Sequence, residues 1–341
     1  MSRNACICLF LLLLSFTACV DEELPRGNTR MDNFEALWQL MDERYCFFDY
    51  KKQTIGVDWD EVHTRYSRQV REGMTDRQLF EVLCNMLGEL RDGHVNLGTA
   101  FDLGRNWSYY EEFPENYDAD IVESYLGKGY DYGISASLRY RILDDNIGYV
   151  RCSSFNSGFG DGNLSHLLNE LRACRGLIID VRDNGGGQLT DAERLAARFT
   201  NQRTLVGYVC HKTGKGHSDF SDLKPIYIDP ANTLRWQKPV VVLTNRQSYS
   251  ATNDFVKCMR QFPLVTIMGD QTGGGAGMPF TQELPNGWSV RYSAVVYLDA
   301  ERQHTEFGIQ PDIQVSLEPA DRARNIDTMI EAARQFLGSS R

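Results

Sequence analysis

Pro239-Val-Val-Val-Leu-Thr-Asn245-Arg-Gln-Ser-Tyr-Ser250-Ala-Thr-Asn-Asp254 joins an apolar β-branched run to a helix-forming one through a polar turn. Five consecutive strand-forming residues without polar alternation read as a strand buried on both faces. A helix is expected from Ala251 to Arg260, so Ser250 falls at a strand-to-helix junction. Free backbone N–H groups and the positive end of a helix dipole favour developing negative charge at such a place. A serine nucleophile needs that environment for its oxyanion. Serine is equally a favoured helix N-cap, so the junction alone does not decide.

The same pattern recurs around it. Strand-like runs at Ile147–Cys152, Gly176–Arg182 and Leu264–Met268 alternate with helical runs at Leu164–Cys174 and from Thr190 to about Asn201. Such alternation implies βαβ crossovers and an α/β core sheet covered by helices. Phe280–Leu284 and Trp288–Tyr297, joined through Pro285-Asn286-Gly287, read as a hairpin, and a last helix is expected from about Asn325 to Leu337. Upstream, Phe34, Leu37, Trp38 and Met41 recur at helical spacing, as do Leu79, Val82, Leu83, Met86, Leu87 and Leu90. Thr75 and Gln78 make a capping-box pattern. The expected organisation is a small helical domain over residues 31–96, a short β-rich connection over 97–145, and a core over 146–341. Aromatics crowd the connection (Trp107, Tyr109, Tyr110, Phe113, Tyr117), where they are expected to pack a small β-region rather than line a groove.

Charge and cysteine usage exclude other classes. A formal net charge of −10 without a basic stripe sets nucleic-acid binding aside. No His/Cys cluster has metal-ligand spacing, so neither a metal nor an organic cofactor is expected. Arg3, the apolar run Ala5–Phe16 and Thr17-Ala18-Cys19 resemble a lipoprotein signal over residues 1–18. Cleavage before Cys19 would leave it lipid-modified, followed by a polar tether over 19–30. Asp21-Glu22-Glu23 resembles the acidic export signal of surface lipoproteins, so an outer-membrane lipoprotein is expected, anchored through Cys19 with its body periplasmic or surface-exposed. Cys46, Cys84, Cys152, Cys174, Cys210 and Cys258 are scattered, and buried free thiols are the simpler reading.

Asp180-Val-Arg-Asp-Asn184-Gly-Gly-Gly187 follows a buried strand; three glycines permit positive φ and close approach to an anion. Such a loop can also be only a turn. It lacks the Gly-Lys-Ser/Thr ending of a phosphate loop. Together with Asn245, Ser250-Ala251 and Gly308-Ile309-Gln-Pro311-Asp312, in that order, it resembles the S41 peptidases, which include the tail-specific processing proteases and the tricorn core. The resemblance covers most of residues 147–315 and implies a crotonase/Clp-like α/β core.

By that resemblance Ser250 matches the nucleophile, and the N–H groups of Ala251 and Gly186 match the oxyanion donors, with Gly187 an alternative to Gly186. The processing proteases use a lysine base in a segment matched here by Gly269-Asp-Gln-Thr272-Gly-Gly-Gly275, with Gly275 at the lysine position. No lysine follows Lys257, so that dyad is excluded. Leu90-Arg-Asp-Gly-His94-Val resembles the tricorn-like histidine segment, which makes His94 the expected general base, although Gly93 stands where that branch has a serine. Glu306 is the expected orienting carboxylate, with Asp92 a local alternative. The reading is an exported serine endopeptidase acting on peptides or unfolded proteins. Its rival is a catalytically inactive binding or scaffold protein on the same fold, since loss of catalytic groups is how such folds become binders.

Overall fold

The computed structural model describes residues 27–129 and 131–339. The signal segment, Cys19 and most of the tether lie outside the described residues.

Four helices open the described chain: α1 (Arg30–Arg44), α2 (Phe48–Ile55), α3 (Trp59–Ser67) and α4 (Asp76–Gly88). Thr29 and Thr75 cap α1 and α4 through reciprocal capping boxes with Asp32 and Gln78. Strands β1 (Asn96–Gly98) and β2 (Leu103–Arg105) follow, then helices α5 (Ser108–Glu111) and α6 (Ala119–Leu126), then β3 (Gly133–Ser135) and β4 (Leu138–Ile142). Residues 97–145, expected to be β-rich, therefore also hold two helices. Asp118 starts α6 by accepting from the N–H groups of Asp120 and Ile121, and Ile121, Val122 and Leu126 form its buried face.

The remainder runs β5 (Ile147–Cys152), α7 (Asp161–Glu170), β6 (Gly176–Asp180), α8 (Leu189–Ala196), β7 (Thr204–His211), β8 (Lys224–Ile228), β9 (Val240–Thr244), α9 (Ala251–Met259), β10 (Val265–Gly269), β11 (Gly277–Glu283), β12 (Ser289–Leu298), β13 (Ile313–Gln314), α10 (Pro319–Arg322) and α11 (Thr328–Ser339). Two sheets result, where a single helix-covered sheet was expected. One is a seven-stranded sheet in the order β13-β10-β9-β6-β5-β4-β3, parallel from β13 to β5. Helices α7, α8 and α9 share one core with it, while α6 and α11 pack on its other face. The second sheet is antiparallel, β2-β1-β12-β7-β8, with β11 also on β12. It shares a core with the N-terminal helices, where Phe34, Leu37, Leu83 and Met86 meet Leu97, Val290 and Val296.

This arrangement positions the site. In a parallel sheet neighbouring strands end on the same side, so the loops leaving β6 and β9 lie side by side. They are the glycine loop and the Ser250 turn. The antiparallel sheet, through β1, carries the residue stretch preceding Asn96 to the same place.

Candidate active site

Ser250 adopts φ 59° and ψ −123° immediately before α9 and makes no side-chain capping bond. A non-glycine residue held there costs about 1–3 kcal/mol, and such strain collects at functional turns. The turn is over-determined: Ser250 N donates to Gly274 O at 2.9 Å, Tyr249 N to Asn184 O at 3.1 Å, and Gly273 N to Ser248 O at 2.9 Å. Ser248 stabilises the turn, accepting from Asn245 N and donating to Val181 O. Asn245 links the turn to the glycine loop, accepting from Asp183 N at 2.9 Å and donating to Asp183 Oδ1. Freed from capping, Ser250 Oγ lies 2.9 Å from His94 Nε2.

His94 is buried, and its ring is pushed down to about 4. Burial is the main cause; Arg291 and Arg105 act in the same direction and Asp92 opposes them. The imidazole is therefore neutral near pH 7 and able to accept a proton. Its Nδ1 is enclosed without a well-formed hydrogen bond, although the nearby Gly277 backbone favours a proton on the ring. Asp92 accepts from His94 N at 2.7 Å, and its other oxygen takes Tyr45 Oη and Ser293 Oγ, both at 3.0 Å. It thus holds the backbone of His94, not the ring.

Glu306 does not bond His94. Its carboxylate accepts from Lys51 Nζ at 2.9 Å and from Ala276 N at 3.0 Å, with both charged side chains buried. Burial and Asp92 raise its pKa, while Lys51 and the Ala276 N–H oppose the rise. Lys51 also lies 4.0 Å from the Phe307 ring centroid. Sequence reasoning missed Lys51, because the short α2 gives no periodicity from which its inward face can be read.

The glycine loop requires one adjustment. Gly186 N, expected as an oxyanion donor, already donates to Asn184 Oδ1 at 3.0 Å. Among the described residues Gly187 N has no such partner, and Gly187 lines the cavity at Ser250 together with Ala251. Gly186 is needed for closeness instead. It has φ 101°, and a Cβ there would lie 2.8 Å from Tyr249 O and 2.9 Å from both Ala251 N and Ser250 Cβ. Asp180 and Arg182 are scaffold: Asp180 takes Tyr149 Oη and the Arg182 guanidinium, and Arg182 continues to Asp327.

Tyr249, joined by Tyr109 at Gly93, crowds both positions that depart from the resembled pattern. A Cβ at Gly275 would come 2.4 Å from its ring, and one at Gly93 would come 2.9 Å from its hydroxyl. Its ring stacks on Tyr109, with centroids 4.2 Å apart, and meets His94 edge-on at 5.0 Å. Tyr109 therefore packs beside the candidate site, not in the β-region expected for the connecting aromatics.

A strained serine, a neutral histidine and unpaired backbone N–H groups on an α/β sheet define the class of serine-dependent hydrolases. Comparisons with known proteins narrow it. Residues 146–315 match the model of peptidase family S41, and residues 27–88 match the tricorn protease C1 domain. A crystal structure of a protein from Parabacteroides merdae is 51% identical and superposes with a TM-score of 0.87, covering 91% of this chain and 97% of that one. The chain belongs to peptidase family S41, a family of serine-type peptidases. It is 26% identical over 208 residues to the chloroplastic C-terminal processing peptidase of Tetradesmus obliquus, covering 60% of this chain and 41% of that protein. Similarity to the processing protease CtpA of Bacillus subtilis is 24% over 178 residues, covering 51% and 36%. The chain thus spans less than half the length of these curated relatives. Mature CPAF shares the fold at 12% identity, with a TM-score of 0.66 and coverage of 91% and 95%.

Proposed function

We propose that this chain is an exported serine endopeptidase in which Ser250 attacks the peptide carbonyl and His94 takes its proton. The observation that carries the reading is the 2.9 Å contact between Ser250 Oγ and His94 Nε2, made by a serine in a strained turn that caps nothing. As Oγ bonds to the carbonyl carbon, the proton moves to Nε2, and the oxyanion is accepted by the N–H groups of Ala251 and Gly187. Collapse breaks the C–N bond, and His94 returns the proton to the leaving amine. Water, deprotonated by His94, then releases the acyl group and regenerates Ser250. Lipid on Cys19 would hold the enzyme at the outer membrane, facing peptide or unfolded protein substrates.

The test is labelling of purified protein with a fluorophosphonate. Wild type should label, Ser250→Ala should not, and His94→Ala should label about 10²–10⁴-fold more slowly. Wild-type protein that neither labels nor cleaves a denatured protein would favour the rival binding or scaffold role. The unbonded Nδ1 of His94 is the observation on that side.

A further inference from the structure

Arg105 on β2 and Arg291 on β12 flank β1, and both stand in register with Asn96. Directly paired residues project from the same face of a sheet, so the two guanidinium groups rise in one row. The row reaches the candidate site: Arg291 lines the cavity of about 350 Å³ that also holds Ser250, Ala251 and Gly187. Arg105 lies 3.9 Å from the Trp107 ring centroid and 5.9 Å from that of Tyr249.

Among the described residues, neither arginine makes an ion pair or a side-chain hydrogen bond, and Arg105 Nε is buried without a partner. The fully buried arginines are ion-paired: Arg182 pairs with Asp180 and Asp327, Arg151 with Asp180, and Arg198 with Asp161, whereas Arg105 and Arg291 are half-buried. Asp92, the carboxylate acting on Arg291, is already engaged by Tyr45, Ser293 and His94 N. Two like charges, half removed from water and with no carboxylate in ion-pair contact, keep their guanidinium forks free for a substrate group. Arginine forks match carboxylates in two-pronged geometry.

We propose that Arg105 and Arg291 form a carboxylate-recognising subsite beside Ser250, which selects peptides carrying an acidic side chain next to the scissile bond. The proposal rests on the peptidase reading. Its arginines bind substrate and take no part in proton transfer.

The experiment uses a synthetic peptide panel in which each position in turn is Asp, Asn or Lys, every peptide made with a free and with an amidated C-terminus. Cleavage is followed by mass spectrometry, and peptides that resist cleavage are read as competitors of fluorophosphonate labelling. Wild type should prefer Asp over Asn at one position by about tenfold or more, with the terminus free or amidated alike; a preference for the free terminus alone overturns the side-chain subsite. Arg105→Gln with Arg291→Gln should bring that ratio close to one, Arg291→Lys should keep part of it, and Arg291→Glu should turn it toward Lys. Melting curves check that each variant is folded. Wild-type protein that labels but shows no such ratio, or a ratio that survives the double variant, overturns the subsite and leaves the peptidase reading standing. Wild-type protein that does not label removes both.

Discussion

Lys51 Nζ and Glu306 Oε1 lie 2.9 Å apart with both side chains out of solvent, one from the N-terminal helices and the other from the loop behind the candidate site. The pair fastens α2 to the backbone on which the active-site rim is built, since Glu306 also binds Ala276 N and accepts Gly275 N through its carbonyl. A buried pair is weak evidence of net stability, but breaking one is expensive, because a charge is left without its partner. Lys51→Met should destabilise the protein by about 3–5 kcal/mol, measured by urea denaturation. Adding Glu306→Leu should recover much of that loss. Equal and additive losses would mean that the two groups are not coupled.

The pH dependence follows from His94. Its ring is held down to about 4 by burial, aided by Arg291 and Arg105 and opposed by Asp92. The proposed base works only when neutral, so the fluorophosphonate labelling rate should stay level from pH 7 to about 5 and reach half near the pKa of about 4. An ordinary histidine would reach half near 6.5. Removing the opposing charge with Asp92→Asn should move the acid limb lower, and Arg291→Gln should move it higher. Stability has a matching sign. Between about 4 and 6.5 the unfolded ring is protonated while the folded one is not, so the folded state loses ground as pH falls through that window. His94→Gln should flatten that part of the stability curve, read from urea midpoints across the range.

How much of this was legible follows the range of the interactions. Ser250 could be read from a local change of pattern, a β-branched run giving way to a helical one, and parallel pairing of β6 with β9 then brings the glycine loop to it. Its freedom from capping could not, because that depends on Ser248 and Gly274 holding the turn instead. His94 was marked by resemblance alone, since one histidine in a loop has no periodicity. Glu306 was placed at the right loop and given the wrong neighbour: its partner Lys51 lies 255 positions away. Choosing Gly187 over Gly186 depends on one side-chain oxygen, that of Asn184. The Arg105–Asn96–Arg291 row exists only in the register of the second sheet, whose strands β7 and β8 were not read from the sequence at all.

Asn184 and Gly186 give a prediction about loop shape. Asn184 Nδ2 donates to Cys152 O at 3.0 Å while its Oδ1 takes Gly186 N, so one side chain fixes the glycine loop to β5, with Gly187 lining the cavity. Asn184→Ala leaves a buried carbonyl and a buried N–H without their side-chain partner, at a cost of about 1–3 kcal/mol. The labelling rate should fall by about 10²-fold or more if the loop supplies an oxyanion donor. A destabilised variant that labels at the wild-type rate when folded would remove the loop from the chemistry.

Gly93 offers the complementary test, because the tricorn-like pattern has a serine at its position. A Cβ there would lie 2.8 Å from Tyr109 Cε1 and 2.9 Å from the Tyr249 hydroxyl, which itself is buried without a partner. Gly93→Ser alone should therefore slow labelling by displacing His94 or Tyr249, and should lower the melting temperature. Tyr249→Phe removes the hydroxyl that blocks the new side chain and, in the wild-type background, also relieves an unsatisfied buried group. The double variant Gly93→Ser with Tyr249→Phe should regain part of the labelling rate lost by Gly93→Ser. A double variant as slow as the single one would show that the clash with Tyr109, rather than with Tyr249, keeps this position a glycine.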